Sequence, residues 1–353
     1  MDLSELLQHA VQHGASDLHL TASRPPMVRI NGKLIPSGFE TVLGPDDTKT
    51  LIYSILTDDQ KAKFEEEHEL DLSIGIPGIS RFRVNVFMQR GCVSSVFRTI
   101  GENIPTCDEL GLNETIQRLA LLPRGLVCVT GPTGCGKSTT LAAMINLVNQ
   151  QKEAHIITIE DPIEFLHPHI RSTINQRELG SDTYSFPRAL KAMLREDPNV
   201  ILVGEMRDLE TIAAALTLAE TGHLVLSTLH TQDAASTVDR IIDVFPPYQQ
   251  EQIRVMLAST LKGVISQVLL PKMDGQGRAA AREVMVVTPA ISAIIREAKT
   301  HQIYSAIQTG GGHGMCTMEQ SLTHLYREGV ITIEDALSKA NHPLELKSLA
   351  RIE

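Results

Sequence analysis

Two textures of hydrophobic and polar positions divide this 353-residue chain near residue 100. Over the first hundred residues the apolar period changes every few positions. Residues 3–11 have the spacing of a short amphipathic helix. Residues 16–20 and 27–30 alternate polar with apolar as half-buried strands do, and Asn31-Gly32 is a hairpin turn signal. Helices are predicted over 45–56, entered at Pro45, and over 59–69, the second with an acidic outer face. Strands are predicted over 79–86 and 91–100. In the first of these, Arg81, Arg83 and Asn85 alternate with Phe82, Val84 and Val86, so one face carries both arginines. This mixture predicts a small α+β domain over 1–100, followed by a polar linker over 101–111 that contains Pro105.

From 112 to 353 short apolar runs alternate with helical patterns, which predicts an α/β domain with a parallel sheet covered on both faces. The predicted strands are 126–130, 155–160, 200–204 and 224–229. A helix is expected over 139–148. A second, over 252–268, is expected because Ile253, Met256, Leu257, Leu261, Val264, Ile265 and Val268 fall on one helical face. The tail from Pro289 reads as short helices broken by Gly310-Gly311-Gly312, and no internal repeat of solenoid period is present.

Composition narrows the classes of function. Hydrophobic residues make up 42% and charged residues 21%, as in ordinary globular proteins. The formal net charge is −10, aromatics are 4% and Trp is absent, which argues against a large surface for nucleic acid. No apolar run reaches membrane-span length. The acidic N-terminus lacks the pattern of a signal peptide, so a cytoplasmic protein is expected. Five dispersed cysteines predict reduced thiols, with neither a disulfide framework nor a zinc site.

The chemistry concentrates in four places. Gly131-Pro132-Thr133-Gly134-Cys135-Gly136-Lys137-Ser138 fills every position of the P-loop pattern between a predicted strand and a predicted helix. Successive backbone amides and the positive end of the helix dipole there make a cradle for a polyphosphate. Lys137 is expected to reach the β- and γ-phosphates, Ser138 to join a Mg²⁺ shell, and Thr139 to continue the nucleotide site. Cys135 inside the loop reads as a tolerated small residue, with redox control the alternative. Glu160, Asp161 and Glu164 follow the strand predicted over 155–160, and one of them is the candidate to orient and deprotonate an attacking water. Glu205 follows the strand predicted over 200–204, as the second nucleotide signature requires, and is the candidate Mg²⁺-associated acid. His223 and His230 bracket the strand at 224–229, as sensors of the γ-phosphate or contacts to a neighbouring subunit.

These clusters together resemble the secretion and pilus motor ATPases, and within them the type IV pilus retraction ATPases of the PilT family. The resemblance extends to Gly14-Ala15-Ser16-Asp17-Leu18-His19-Leu20 and to Tyr304-Ser305-Ala306-Ile307-Gln308-Thr309-Gly310-Gly311, hence to nearly the whole chain. It implies a PAS-like N-terminal domain, a RecA-like P-loop C-terminal domain and a homohexameric ring that hydrolyses ATP with Mg²⁺. It implies Glu164 as the catalytic base and Glu205 as the metal-associated acid. Arg81, Arg83 and Arg98 are the candidate arginines completing the nucleotide pocket. The implied partners are an inner-membrane pilus platform protein and paralogous motor ATPases, with no nucleic acid. The implied location is cytoplasmic, peripheral to the inner membrane at the pilus base. The four-cysteine zinc module usual in assembly motors is missing. The retraction branch's late segment, AIRNLIRE in one-letter code, reads here Ala290-Ile291-Ser292-Ala293-Ile294-Ile295-Arg296-Glu297, keeping the apolar positions and the final Arg-Glu. A pilus-assembly or type II secretion ATPase, and a ring translocase on nucleic acid, are the alternatives.

Overall fold

The computed structural model describes residues 2–30, 32–101 and 103–352; Asn31 of the turn signal and Glu102 of the linker lie outside them. The chain forms two compact units, Met1–Asn103 with Pro162–Leu166, and Ile104–Asp161 with His167–Glu353.

In the first unit Leu3, Leu6, Leu7 and Ala10 recur at helical spacing and form the buried stripe of α1 (Leu3–Gln12). There follow β1 (Asp17–Leu20), β2 (Met27–Ile30), β3 (Lys33–Pro36), α2 (Pro45–Tyr53), α3 (Asp58–Glu67), β4 (Glu69–Ile76), β5 (Ser80–Gln89) and β6 (Cys92–Ile100). The helix expected over 59–69 stops earlier because His68 takes φ 61°, the left-handed conformation that ends helices, and Glu69 opens β4. β3 carries no apolar period, since all four of its residues are exposed. The six strands form an antiparallel sheet in the order β3-β2-β1-β6-β5-β4. Phe82, Val84, Val86 and Phe97 pack on one face in a core with Leu7, Ile52 and Phe64. Arg83 lies opposite Arg98, and Arg98 opposite Asp17, so Arg81, Arg83 and Arg98 share the other face.

The second unit contains α4 (Glu114–Ala120), β7 (Gly125–Thr130), α5 (Lys137–Gln151), β8 (His155–Glu160), β9 (Thr173–Glu178), α6 (Phe186–Met193), β10 (Val200–Val203), α7 (Leu209–Glu220), β11 (Leu224–Leu229), α8 (Ala234–Asp243) and α9 (Pro247–Thr260). It continues with β12 (Leu261–Pro271), β13 (Arg278–Val286), α10 (Pro289–Arg296), α11 (Ile303–Thr309), α12 (Met318–Arg327), α13 (Ile333–Lys339) and α14 (Pro343–Ala350). The sheet order is β13-β12-β7-β11-β10-β8-β9, parallel throughout except for the antiparallel edge strand β13. Leu126 and Cys128 of β7 enter one core while Val127 and Val129 enter another, so the sheet is covered on both faces.

One expectation fails here. The helix expected over 252–268 ends at Thr260, and Leu261, Val264, Ile265 and Val268 belong to β12. Val264 packs in the core of Leu126 while Ile265 packs in the core of Val127, so the run is apolar because both strand faces are buried. Gly263 marks the strand: a Cβ there would stand 2.6 Å from Leu119 Cδ1 and 3.0 Å from the Met285 carbonyl oxygen. The β12–β13 ladder pairs Ser266 with Glu283 and Gln267 with Arg282. No helix among the described residues is long and apolar enough to cross a membrane.

Candidate nucleotide site

The phosphate loop joins β7 to α5 at the carboxyl edge of the parallel sheet, where open α/β folds bind ligands. Its turn needs glycine. Gly131, Gly134 and Gly136 have φ of 137°, 78° and 87°, which side chains disfavour. At Gly131 space is also lacking, because a Cβ would collide with the Gln267 carbonyl oxygen. Gly136 is the N-cap of α5, so the free amides of the first helical turn face the loop. Lys137 opens the helix, and its Nζ donates to the carbonyl oxygens of Gly131 at 2.9 Å and Pro132 at 3.1 Å. Ser138 and Thr139 follow on the same turn.

The loop is braced from β12. Gln267, 2% exposed, donates from Nε2 to the Cys135 carbonyl oxygen at 2.6 Å and accepts at Oε1 from Thr140 Oγ1 at 2.9 Å. One strand-turn earlier Thr130 Oγ1 donates to Ser266 Oγ at 2.8 Å. Neither Gln267 nor Thr140 was expected from the sequence; reading β12 as helix hid the first. A polar residue inside an apolar strand-length run beside a P-loop was the available signal. Beside the loop lies a cavity of about 890 Å³ lined by Asn113, Gly136, Thr139, Gln267, Arg278 and Arg282, within the range of small-molecule sites. Burial pushes the Cys135 thiol above its ordinary value, with Lys137 pulling the other way.

The three other clusters lie as follows. Glu160 is the last residue of β8, and its Oε1 accepts from Thr158 Oγ1 at 2.7 Å and Gln176 Nε2 at 3.3 Å. Asp161 follows it, and Glu164 lies exposed in Pro162–Leu166, the segment that belongs to the first unit. Gly204 follows β10; its amide donates to the Ile159 carbonyl at 2.8 Å, and its carbonyl accepts from Thr228 Oγ1 at 2.6 Å. A Cβ at Gly204 would stand 3.2 Å from the Ile159 oxygen, which explains the glycine at this crossing of β8 and β10. Glu205 then pairs with Arg207 at Oε1 and accepts at Oε2 from His230 Nε2 at 3.2 Å. β10 and β11 run parallel in register, so Glu205 and His230 meet at the edge that carries the phosphate loop.

His223 does not join them. It precedes β11 at the amino edge of the sheet, where its carbonyl accepts from the Gly125 amide at the start of β7. Seven residue steps at ~3.3 Å each separate it from His230 by about 23 Å. Its Nδ1 is engaged by the Leu218 carbonyl at 2.9 Å and Thr221 Oγ1 at 3.2 Å. Within one chain it cannot sense the γ-phosphate at the loop beside which His230 stands.

In the first unit Arg81 Nη2 donates to Ser73 Oγ at 2.6 Å, Arg98 Nε donates to Asp17 Oδ1 at 3.0 Å, and Arg83 is exposed. Burial raises the Asp17 carboxyl, but the Ser16 hydroxyl and the Arg98 guanidinium outweigh it and hold the group below its ordinary value.

Comparison with known proteins agrees with this geometry. The family model for Type II/IV secretion system protein matches residues 1–338. The chain is 52% identical over 343 residues to the type IV pilus retractation ATPase PilT of Pseudomonas aeruginosa, covering 97% of this chain and 99% of that one. It is 43% identical over 352 residues to the type IV pilus ATPase PilU of the same organism, covering 100% and 92%. The crystal structure of the pilus retraction motor PilT with bound ADP superposes with a TM-score of 0.93 at 48% identity, covering 99% of both chains. With a nucleotide loop in a RecA-like sheet and kinship along almost its full length, this chain belongs to the Type II/IV secretion system protein family.

Proposed function

We propose that this protein is an ATPase motor that powers retraction of type IV pili. The observation that carries the reading is the meeting of the Gly131–Ser138 loop with the Glu205–His230 pair at one sheet edge, in a chain whose full-length relatives are pilus ATPases.

In this reading the amides of residues 131–138 and Thr139 hold the phosphates, and Lys137 neutralises charge between the β- and γ-groups. Ser138 and Glu205 supply the hard oxygens that suit Mg²⁺, which keeps waters and leans on substrate phosphates. Both Glu205 oxygens have partners in Arg207 and His230, which hold the carboxylate in place where it would face the ion. Glu164 orients the attacking water and takes its proton, with Glu160 and Asp161 the next candidates. Arg81, Arg83 and Arg98 complete the pocket with guanidinium charge for the γ-phosphate. The protein works as a homohexamer in which turnover drives motion between an N-terminal domain, residues 1–100, and an ATPase domain, residues 112–353, linked by 101–111. It acts in the cytoplasm on an inner-membrane pilus platform protein, alongside paralogous motors.

Two measurements test the reading. Lys137→Ala should lose nucleotide affinity, whereas Glu164→Ala should bind ATP and release almost no phosphate; wild-type turnover in the second would move the base to Glu160 or Asp161. In cells, deletion should leave abundant surface pili without twitching. A bald deletion strain would instead identify an assembly motor.

A further inference from the structure

A second cavity, of about 260 Å³, opens between α8 and α11 and has no part in the nucleotide chemistry. Asp233, Asp239, Glu283, His301, Tyr304 and His342 line it, with no lysine or arginine among the described residues that do. Glu283 is 1% exposed. Its Oε1 accepts from the Ala234 amide at 2.8 Å and the Met318 amide also bears on the carboxyl, while its Oε2 has no well-formed hydrogen bond among the described residues. Leaving a buried carboxylate oxygen without a donor is unfavourable, because its water contacts are lost and not replaced.

Behind it two carboxylates share one phenol. Glu319 is fully buried; its Oε1 accepts from the His342 amide at 2.8 Å and its Oε2 lies 2.9 Å from Tyr304 Oη, while Glu345 accepts at Oε1 from Gln308 Nε2 at 2.8 Å and its Oε2 lies 2.7 Å from the same phenol oxygen. A phenol has one hydrogen and can serve only one of these carboxylates at a time. Among the described residues, none of Asp233, Asp239, Glu283, Glu319 and Glu345 forms an ion pair.

We propose that this cavity is a binding site for an organic cation, an ammonium or guanidinium group that donates hydrogen bonds to Glu283 and to the carboxylates beside it. The lining asks for positive charge and several N–H donors at once, which such a group supplies. A bare metal ion fits less well. The described residues hold no group of three His, Cys, Asp or Glu side chains converging as a metal site, and the volume far exceeds the ~30 Å³ share of one water. The rings of Tyr304 and His342, with centroids 4.3 Å apart and planes tilted by 55°, add aromatic surface beside which a guanidinium or an alkylammonium stem can rest. Asp233 caps α8 by accepting from the Ser236 amide, three residues after His230, so an occupant here bears on the helix that leaves the nucleotide edge.

The cation is either free or carried on another polypeptide's side chain, and two probes separate these sources. Putrescine stands for a free diamine and N-acetyl-arginine amide for a side chain. Each is titrated at pH 8.5 into the full-length protein, followed by melting temperature and by calorimetry, against sodium chloride at matched ionic strength. At least one probe should raise the melting temperature beyond the salt control, the tighter one naming the source. Glu283→Gln should weaken that probe at least tenfold while leaving ADP affinity unchanged. Binding should also weaken toward pH 6, where Glu283 carries its own proton. The proposal is overturned if neither probe exceeds the salt control, which would mean that a proton alone satisfies Glu283. It is overturned equally if a folded Glu283→Gln protein binds as the wild type does.

Discussion

Gln267 holds Cys135: the side-chain amide on β12 donates at 2.6 Å to a carbonyl in the middle of the phosphate loop, 132 residues earlier in the chain. The same side chain accepts from Thr140, so one residue ties the loop to the first turns of α5. Gln267→Leu leaves the Thr140 hydroxyl and the Cys135 carbonyl buried without partners, each costing about 1–3 kcal/mol. We expect the KM for ATP to rise about tenfold or more with a smaller fall in kcat, since cradle geometry is lost before chemistry. Gln267→Glu keeps the acceptor for Thr140 and should be intermediate. Steady-state phosphate release across an ATP series measures both.

Cys135 should be chemically quiet. Burial raises its thiol, so little thiolate forms near neutral pH despite Lys137 nearby. Iodoacetamide at pH 7.5 should label the half-exposed Cys92 first, and mild peroxide should leave ADP affinity unchanged. Reversible loss of nucleotide binding that Cys135→Ser abolishes would establish redox control.

How far the fold and the site are legible in the sequence differs by segment, for physical reasons. The phosphate loop was legible because three glycines in six residues meet a backbone demand that no other residue type meets cheaply. β8 and β11 were legible to the residue, as short apolar runs closed by polar positions. β12 was not. A strand buried on both faces shows no alternation, and the apolar residues of α9 run straight into it, so the joint pattern reads as a longer helix. Gly263 and the polar Gln267 were the signals of the change. β9 and β3 were missed for the opposite reason: edge strands with polar or exposed positions present no apolar period. The Glu205–His230 contact joins two strand ends 25 residues apart through register, which a linear pattern does not contain. The same register separates His223 from that site.

The two histidines that flank β11 should therefore behave independently in a single chain. His230→Ala removes the donor to Glu205 and should lower turnover about tenfold or more with modest change in KM. His223→Ala should spare nucleotide affinity and act, if at all, on melting temperature. Sites this far apart usually add within ~0.5 kcal/mol. A double-mutant cycle on kcat/KM that departs from additivity by more would show that the histidines meet across subunits.

Glu283 should contribute stability that falls as pH rises through the acid range, against the opposite contribution of lowered carboxyls such as Asp17. Burial pushes the Glu283 carboxyl up to about 7 from 4.5, with Asp233 and Glu319 acting the same way and the Ala234 and Met318 amides opposing. The folded protein therefore holds this proton more tightly than the unfolded chain. The contribution is fully present below pH ~4.5 and is lost as pH rises to about 7, on the order of 3 kcal/mol in all. Glu283→Gln should flatten that part of the profile. Chemical denaturation of both proteins at pH 5, 6, 7 and 8 reads the difference directly.

The β12–β13 ladder gives these two ends of the molecule a common frame. Gln267, which grips the phosphate loop, is opposite Arg282, and the next rung pairs Ser266 with Glu283. Side chains of successive rungs point to opposite faces of a sheet, so the loop brace and the buried carboxylate are one rung apart, back to back. Thermodynamic reciprocity then applies. Whatever factor nucleotide imposes on the proton or cation affinity at Glu283, that group imposes on nucleotide affinity in return. A titration of ADP at two pH values is therefore also a measurement of how far one turn of the ladder carries free energy from a phosphate to a carboxylate it never touches.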